Sequence, residues 1–163
     1  MRLNRILVPL DGSALAESAL AKAVELAGGW PSTLMLLRAT EAHTLPGTDP
    51  IEAQVHVVRE AEEYLAAVAA RLKAQGIKNV ETSVWYEPAA SAIVDAAHLR
   101  KADLIVMSTH GRSGLGRLIL GSVAESVLRG TTTPILLLRA PEAPVEMPRG
   151  AKQAPPTKES THV

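Results

Sequence analysis

Residues Ser108–Ser122, reading STHGRSGLGRLILGS, carry the most structural information in the chain. An apolar run ending at Met107 leads into them. Gly111, Gly114, Gly116 and Gly121 follow, spaced among Arg112 and Arg117, and Gly121-Ser122 opens a helical pattern. Glycine lets backbone amides approach a ligand closely, and a helix N-terminus favours an anion. The stretch therefore predicts a strand, a loop suited to the phosphates of a nucleotide, and a helix.

Working outward, the same alternation runs through the chain. Ile6-Leu7-Val8 is wholly apolar, Asp11-Gly12-Ser13 turns, and an Ala/Leu-rich stretch to Ala27 closes on Gly28-Gly29. That order predicts strand, turn, helix and glycine stop. Leu34–Leu37 is a second apolar run. Asp49-Pro50-Ile51-Glu52 then predicts a helix start, with a capping Asp, Pro in the first turn and Glu three residues after the cap. Ile51, Val55, Val58, Leu65 and Leu72 form its expected apolar stripe, and Gly76 ends it. Val80, Thr82, Val84 and Tyr86 alternate with Glu81, Ser83 and Trp85, as in a strand with one wetter face at a sheet edge. Pro88 opens a helix to about Arg100, Leu104–Met107 is the fourth run, Ser122–Arg129 a short helix and Ile135–Leu138 the fifth run.

Short, wholly apolar strands joined by helices predict an α/β fold: a single open five-stranded parallel sheet, helices on both faces, Rossmann-like. Ligands in such sheets bind at the carboxyl ends of strands, where the winding reverses. The two most unusual loops follow the first and fourth strands. The order 3-2-1-4-5 makes those strands neighbours, aims both loops at one crevice and leaves the alternating third strand at an edge. Residues 1–140 are expected to form this domain. From Pro141 periodicity vanishes and Pro, Lys, Thr and Ser dominate, so 141–163 is expected to be a disordered tail.

Composition narrows the function. At 163 residues the chain fits one domain. Hydrophobic residues are 47% of it but aromatics only 2%, with no Phe, so the core must be Ala, Leu, Val and Ile. Few aromatics and a formal net charge of +0 argue against nucleic acid, which needs stacking platforms and a basic surface. The absence of cysteine excludes disulfides, thiolate catalysis and cysteine metal sites. His43, His56 and His98 lie far apart without ligand spacing, so no metal site built by the protein alone is expected. No apolar run approaches the ~20 residues of a membrane helix. The MRLNRILVPLDGS start is unlike a signal peptide. No membrane association and a cytoplasmic location are the expectation.

The glycine loop contains neither GxxxxGK[ST] nor GxGxxG. It reads instead Gly111, nine residues, Gly121-Ser122. Together with the opening ILVPLDGS, the segment IVMSTHGRSGLGRLILGSVAESVL and the closing TPILLLR, it resembles the universal stress protein family over Asn4 to about Arg139. The nucleotide-binding branch of that family carries G-x2-G-x9-G-[ST]. By that pattern Gly111, Gly121 and Ser122 match the second glycine, the third glycine and the hydroxyl. Ser108 stands where the first glycine belongs, and its side chain narrows the approach to phosphate or ribose. The resemblance implies that Asp11 lies beside the nucleoside, that Pro9 shapes its turn and that Ala39 sits near adenine. It implies ATP or another adenine nucleotide as ligand, with Mg²⁺ carried on the phosphates, and a homodimer in stress response. The chain's own pattern points the same way for the dimer: Ile135–Leu138 is apolar yet expected at an edge, and pairing with a second copy would cover it.

Several residues keep plainer roles open. Ser122 with Glu125 fits a capping box, Asp11 suits a turn that starts a helix, and Gly111 and Gly114 suit a bend. Arg112 and Arg117 suit phosphate oxygens or bulk solvent equally. His110 has no serine, cysteine or carboxylate in an apparent triad, so no catalytic residue is assigned and any ATP hydrolysis is expected to be slow. The expectation is a regulatory protein whose phosphates rest on amides of Gly111–Gly114 and of Gly121, Ser122 and Val123. The alternatives are a nucleotide-free interaction or chaperone-like module, with Ser108 the mark of a lost site, and a nucleotide-consuming enzyme.

Overall fold

The computed structural model describes residues 3–28, 31–42, 46–47, 49–109 and 120–139. They form β1 (Arg5–Pro9), α1 (Ala14–Ala27), β2 (Thr33–Ala39), α2 (Pro50–Ala74), β3 (Val80–Trp85), α3 (Ala89–Leu99), β4 (Leu104–Thr109), α4 (Ser122–Gly130) and β5 (Ile135–Arg139). The five strands make one sheet in the order β3-β2-β1-β4-β5, every pair parallel. This is the order read from the sequence. Residues 110–119 and 140–163 lie outside the described residues, so the expected domain boundary and tail lie there too.

Strand alternation divides the core into two layers. Ile6, Val8, Leu34, Leu36 and Val106 face α1 and α2, against Ala19, Leu20, Ala23, Leu65, Val68 and Leu72. Leu7, Met35, Leu37, Ile105 and Met107 face α3 and α4, against Ala92, Ile93, Ala96, Ala124 and Val127. The layers are mostly Ala, Leu, Val and Ile, as expected, with Met35 and Met107 added in the second, and small alanines let the helices lie close to the sheet. Helices on both faces explain why the central strands read as unbroken apolar runs. At the start of the central strands, Asp103 accepts hydrogen bonds from the amides of Asn4 (2.8 Å) and Arg5 (2.9 Å), fastening β4 to β1.

Side chains cap two of the four helix starts, and α3 begins after Pro88 with no side-chain cap. Ser13 caps α1 by accepting from Ala16 N, and Asp49 caps α2 by accepting from Ile51 N, with Pro50 in the first turn. The capping box expected at Ser122 does not form. Gly121 occupies the N-cap position (φ −55°, ψ 148°), Ser122 is already helical, and no side chain caps α4. The helix begins one residue earlier than a serine cap requires.

The α2 stripe also needs correcting. Leu65 and Leu72 are buried, but Ile51 is 71% and Val55 52% exposed. A helix of 25 residues runs about 37 Å. A strand of 7 residues runs about 23 Å. The first half of α2 therefore overhangs the sheet, and an apolar period there has no core beneath it.

Candidate functional site

β1 and β4 are hydrogen-bonded neighbours, with Leu7 opposite Ile105. The chain leaves β1 toward β2 on one side, while β4 leads to β5 on the other. At this reversal the carboxyl ends of the strands splay and leave a cavity of about 440 Å³. That volume lies within the few hundred to 1,000 Å³ usual for small-molecule sites.

Seven residues singled out from the sequence converge there: Pro9, Asp11, Ala39, Ser108, Gly121, Ser122 and Val123 all line the cavity. Two turns more than a hundred residues apart in sequence thus meet in one crevice. Gly111, Arg112 and Gly114 lie outside the described residues, as do His110 and Arg117. The remaining lining had no signature: Leu10, Ala16, Leu37, Ala89, Ile93, Met107 and Ala124 read as ordinary core. The usable signal was positional, because Leu37 and Met107 are near the ends of apolar runs whose far side must face something.

Each wall has its own chemistry. The Pro9–Ser13 wall is a turn in which Asp11 Oδ1 accepts from Ser13 N at 2.9 Å, and Gly12 takes φ +85°. Asp11 thus fills the plainer role of holding the turn while still facing the cavity, and the region of positive φ suits glycine. The floor is apolar: Leu37, Ile93 and Met107 present flat, unpolarised surface suited to a base. The opposite wall is the start of α4. Glu125 N bonds to Gly121 O at 2.9 Å, so the first intrahelical hydrogen bond begins there. The amides ahead of it have no intrahelical acceptor, and they concentrate positive potential at the helix end. Ser108 is 8% exposed near the end of β4, opposite Leu138 in the ladder, and lines the same cavity as Gly121, Ser122 and Val123. An apolar slot with a turn carboxylate on one side and free amides on the other suits a nucleotide. The donor set offers little to a metal: no group of three or more His, Cys, Asp or Glu gathers among the described residues. A divalent ion here would depend on phosphate oxygens for most of its ligands.

Comparison with known proteins fixes the lineage. The family model of the universal stress protein family matches residues 2–139. The chain belongs to this family. A universal stress protein of Methanocaldococcus jannaschii is 31% identical over 144 residues, covering 85% of this chain and 84% of that protein. A crystal structure from the same family from Burkholderia pseudomallei superposes with a TM-score of 0.68 at 28% identity, covering 85% of this chain and 97% of its own. A universal stress protein crystallised in complex with cAMP superposes with a TM-score of 0.57 at 28% identity, covering 84% of this chain and 97% of its own. This universal stress protein has, among its described residues, no helix long and apolar enough to cross a membrane.

A cluster outside the sequence reading lies behind the Asp11 turn. Glu17 Oε1 accepts from the Tyr64 hydroxyl at 3.0 Å, and Glu17 Oε2 lies 2.6 Å from Arg71 Nη2. Arg38, one residue before Ala39, stacks over the Tyr64 ring at 5.0 Å. Burial, and then the bond to Glu17, push the Tyr64 phenol up to about 12.

Proposed function

We propose that this universal stress protein binds ATP or another adenine nucleotide as a regulatory homodimer of the cytoplasm. The observation that carries this is the convergence of the Asp11 turn, Ala39 and the uncapped start of α4 on one 440 Å³ cavity. A related chain of the same family in complex with cAMP supports an adenine ligand. The base rests on the apolar floor near Ala39, Asp11 frames the nucleoside, and phosphates meet the amides of Gly121, Ser122 and Val123. By the family pattern, amides of Gly111–Gly114 complete the phosphate cradle, and Arg112 pairs with phosphate oxygens. Occupancy of the cradle, rather than turnover, is the output, because the described cavity residues include no nucleophile paired with a base.

The second protomer follows from β5. It is an edge strand whose Ile135–Leu138 remain half-buried in the isolated chain. An apolar edge is covered by pairing with its own copy across a two-fold axis.

The test is direct. Protein purified without added nucleotide is denatured, and released small molecules are identified by mass spectrometry. ATP, AMP and cAMP are then titrated by calorimetry, with and without Mg²⁺. Saturable heat from an adenine nucleotide is expected. No released nucleotide and no heat at millimolar ATP would instead make this a nucleotide-free interaction module. Rapid ATP turnover with a defined acceptor would make it an enzyme.

A further inference from the structure

A buried hydroxyl nearly always has a hydrogen-bond partner, because burying it without one is unfavourable. Among the described residues two polar side chains are buried, Ser32 and Ser108. The Ser32 hydroxyl donates to Leu3 O. Thr109, the neighbour of Ser108, donates its hydroxyl to Leu138 O at 3.4 Å. The Ser108 hydroxyl has no partner among the described residues, although the residue is only 8% exposed. What remains open of Ser108 faces the cavity that it lines.

Its place in the fold says what would meet it. β4 keeps its register with β5 as far as Thr109 opposite Arg139, but its register with β1 ends at Leu7 opposite Ile105. Ser108 therefore stands on the stretch of β4 that has parted from β1, at the crevice. Crossing the crevice in sheet order passes the end of β2 at Ala39, the turn after β1 at Asp11, and then β4 at Ser108. Adjacent strands lie about 4.8 Å apart, so β4 is about 10 Å from β2. The start of α4 follows.

We propose that the Ser108 hydroxyl donates a hydrogen bond to the first phosphate of the ligand and sets the preference of the site for nucleoside phosphates over nucleosides. The inference rests on the adenine nucleotide reading above and adds which residue reads the phosphate nearest the sugar. With the base on the apolar floor by Ala39 and phosphate oxygens at the α4 amides, the junction of ribose and phosphate falls between them, at β4. A hydroxyl rotates to suit its acceptor, and a bond to an ionised oxygen is stronger than one to a neutral oxygen. The phosphate thus supplies the partner that the fold withholds. The same serine acting as an obstacle predicts the reverse, since removing it would relieve the ligand.

The experiment titrates adenosine, AMP and ATP by calorimetry into wild type, Ser108→Ala and Ser108→Gly, and records thermal melting of each protein without ligand. Ser108→Ala is expected to weaken AMP and ATP alike by about tenfold, and adenosine by under about twofold. Ser108→Gly loses the same phosphate contact and shows the same order of effects. Without ligand, Ser108→Ala melts no lower than wild type, because the hydroxyl it lacks bonds to none of the described residues. Tighter binding of AMP or ATP in either variant would make Ser108 an obstacle and overturn the proposal. An equal loss for all three ligands would place the hydroxyl on the nucleoside or, with a lowered melting temperature, in a structural role, and either result overturns the phosphate contact. If Ser108→Gly does not fold, Ser108→Ala decides alone. Wild type that binds none of the three ligands sinks the nucleotide reading itself. Wild type that binds AMP while the alanine variant matches it sinks only the role of Ser108.

Discussion

Tyr64 shows how one residue ties stability to pH. Its phenol stays neutral to about 12 in the fold, against an ordinary 10.0, through burial and the Glu17 bond. A raised value means the neutral form is favoured on folding. Its contribution is therefore complete below pH 10 and is lost as pH climbs toward 12. Denaturant melts of wild type and Tyr64→Phe should show a stability gap that shrinks in wild type's disfavour across that interval, while the gap stays constant below pH 9. Gly121 makes a separate prediction. Its φ of −55° is open to any residue, so Gly121→Val folds. The branched side chain then stands between the α4 amides and the ligand. Calorimetry should find nucleotide binding abolished, and light scattering the same oligomer as wild type. Unchanged ATP affinity would show that the phosphates lie elsewhere. Of the candidate residues, those with special backbone or hydroxyl chemistry were legible in the sequence. The unpartnered state of the Ser108 hydroxyl was not, because hydrogen-bond partners come from segments that only folding brings near.

At the scale of elements, α2 is the informative case. Its cap is local and was legible: Asp49 Oδ1 accepts from Ile51 N at 2.8 Å. Asp49→Ala should cost about 1 kcal/mol in chemical denaturation. Its apolar stripe was only half legible. Leu65 is fully buried while Ile51 is 71% exposed, although both keep the same helical period. Leu65→Ala should cost about 2–5 kcal/mol, through lost burial and the cavity left behind. Ile51→Lys should fall within about 0.5 kcal/mol of wild type. Similar losses at both sites would mean that the helix start is covered in solution. The start of α4 carries the opposite lesson. A serine followed three residues later by glutamate satisfies the capping pattern, yet Gly121 takes the cap and leaves the amides free for a ligand. A functional demand and a stability pattern compete for the same donors, and the motif by itself does not rank them.

The described residues form a sheet with two apolar layers and an apolar edge at β5. At micromolar concentration, sizing with light scattering should give about twice the 17.2 kDa chain mass, and a strict monomer would exclude pairing through β5. The sheet order was readable because its evidence is local and redundant. Short apolar runs joined by helices call for a parallel sheet covered on both faces, and the alternating third run suits an edge, while the apolar fifth run lies at the other edge. The Ala, Leu, Val and Ile core was largely determined, since a chain without Phe has little else to bury, though Met35 and Met107 join it. Tertiary structure alone decided the rest: how far α2 overruns the sheet, which residue caps α4, which ordinary leucines and alanines floor the cavity, and that the Ser108 hydroxyl finds no partner among the described residues. These depend on distances between segments far apart along the chain. Such distances follow from element lengths and packing against neighbours, and side-chain periodicity within one segment does not encode them.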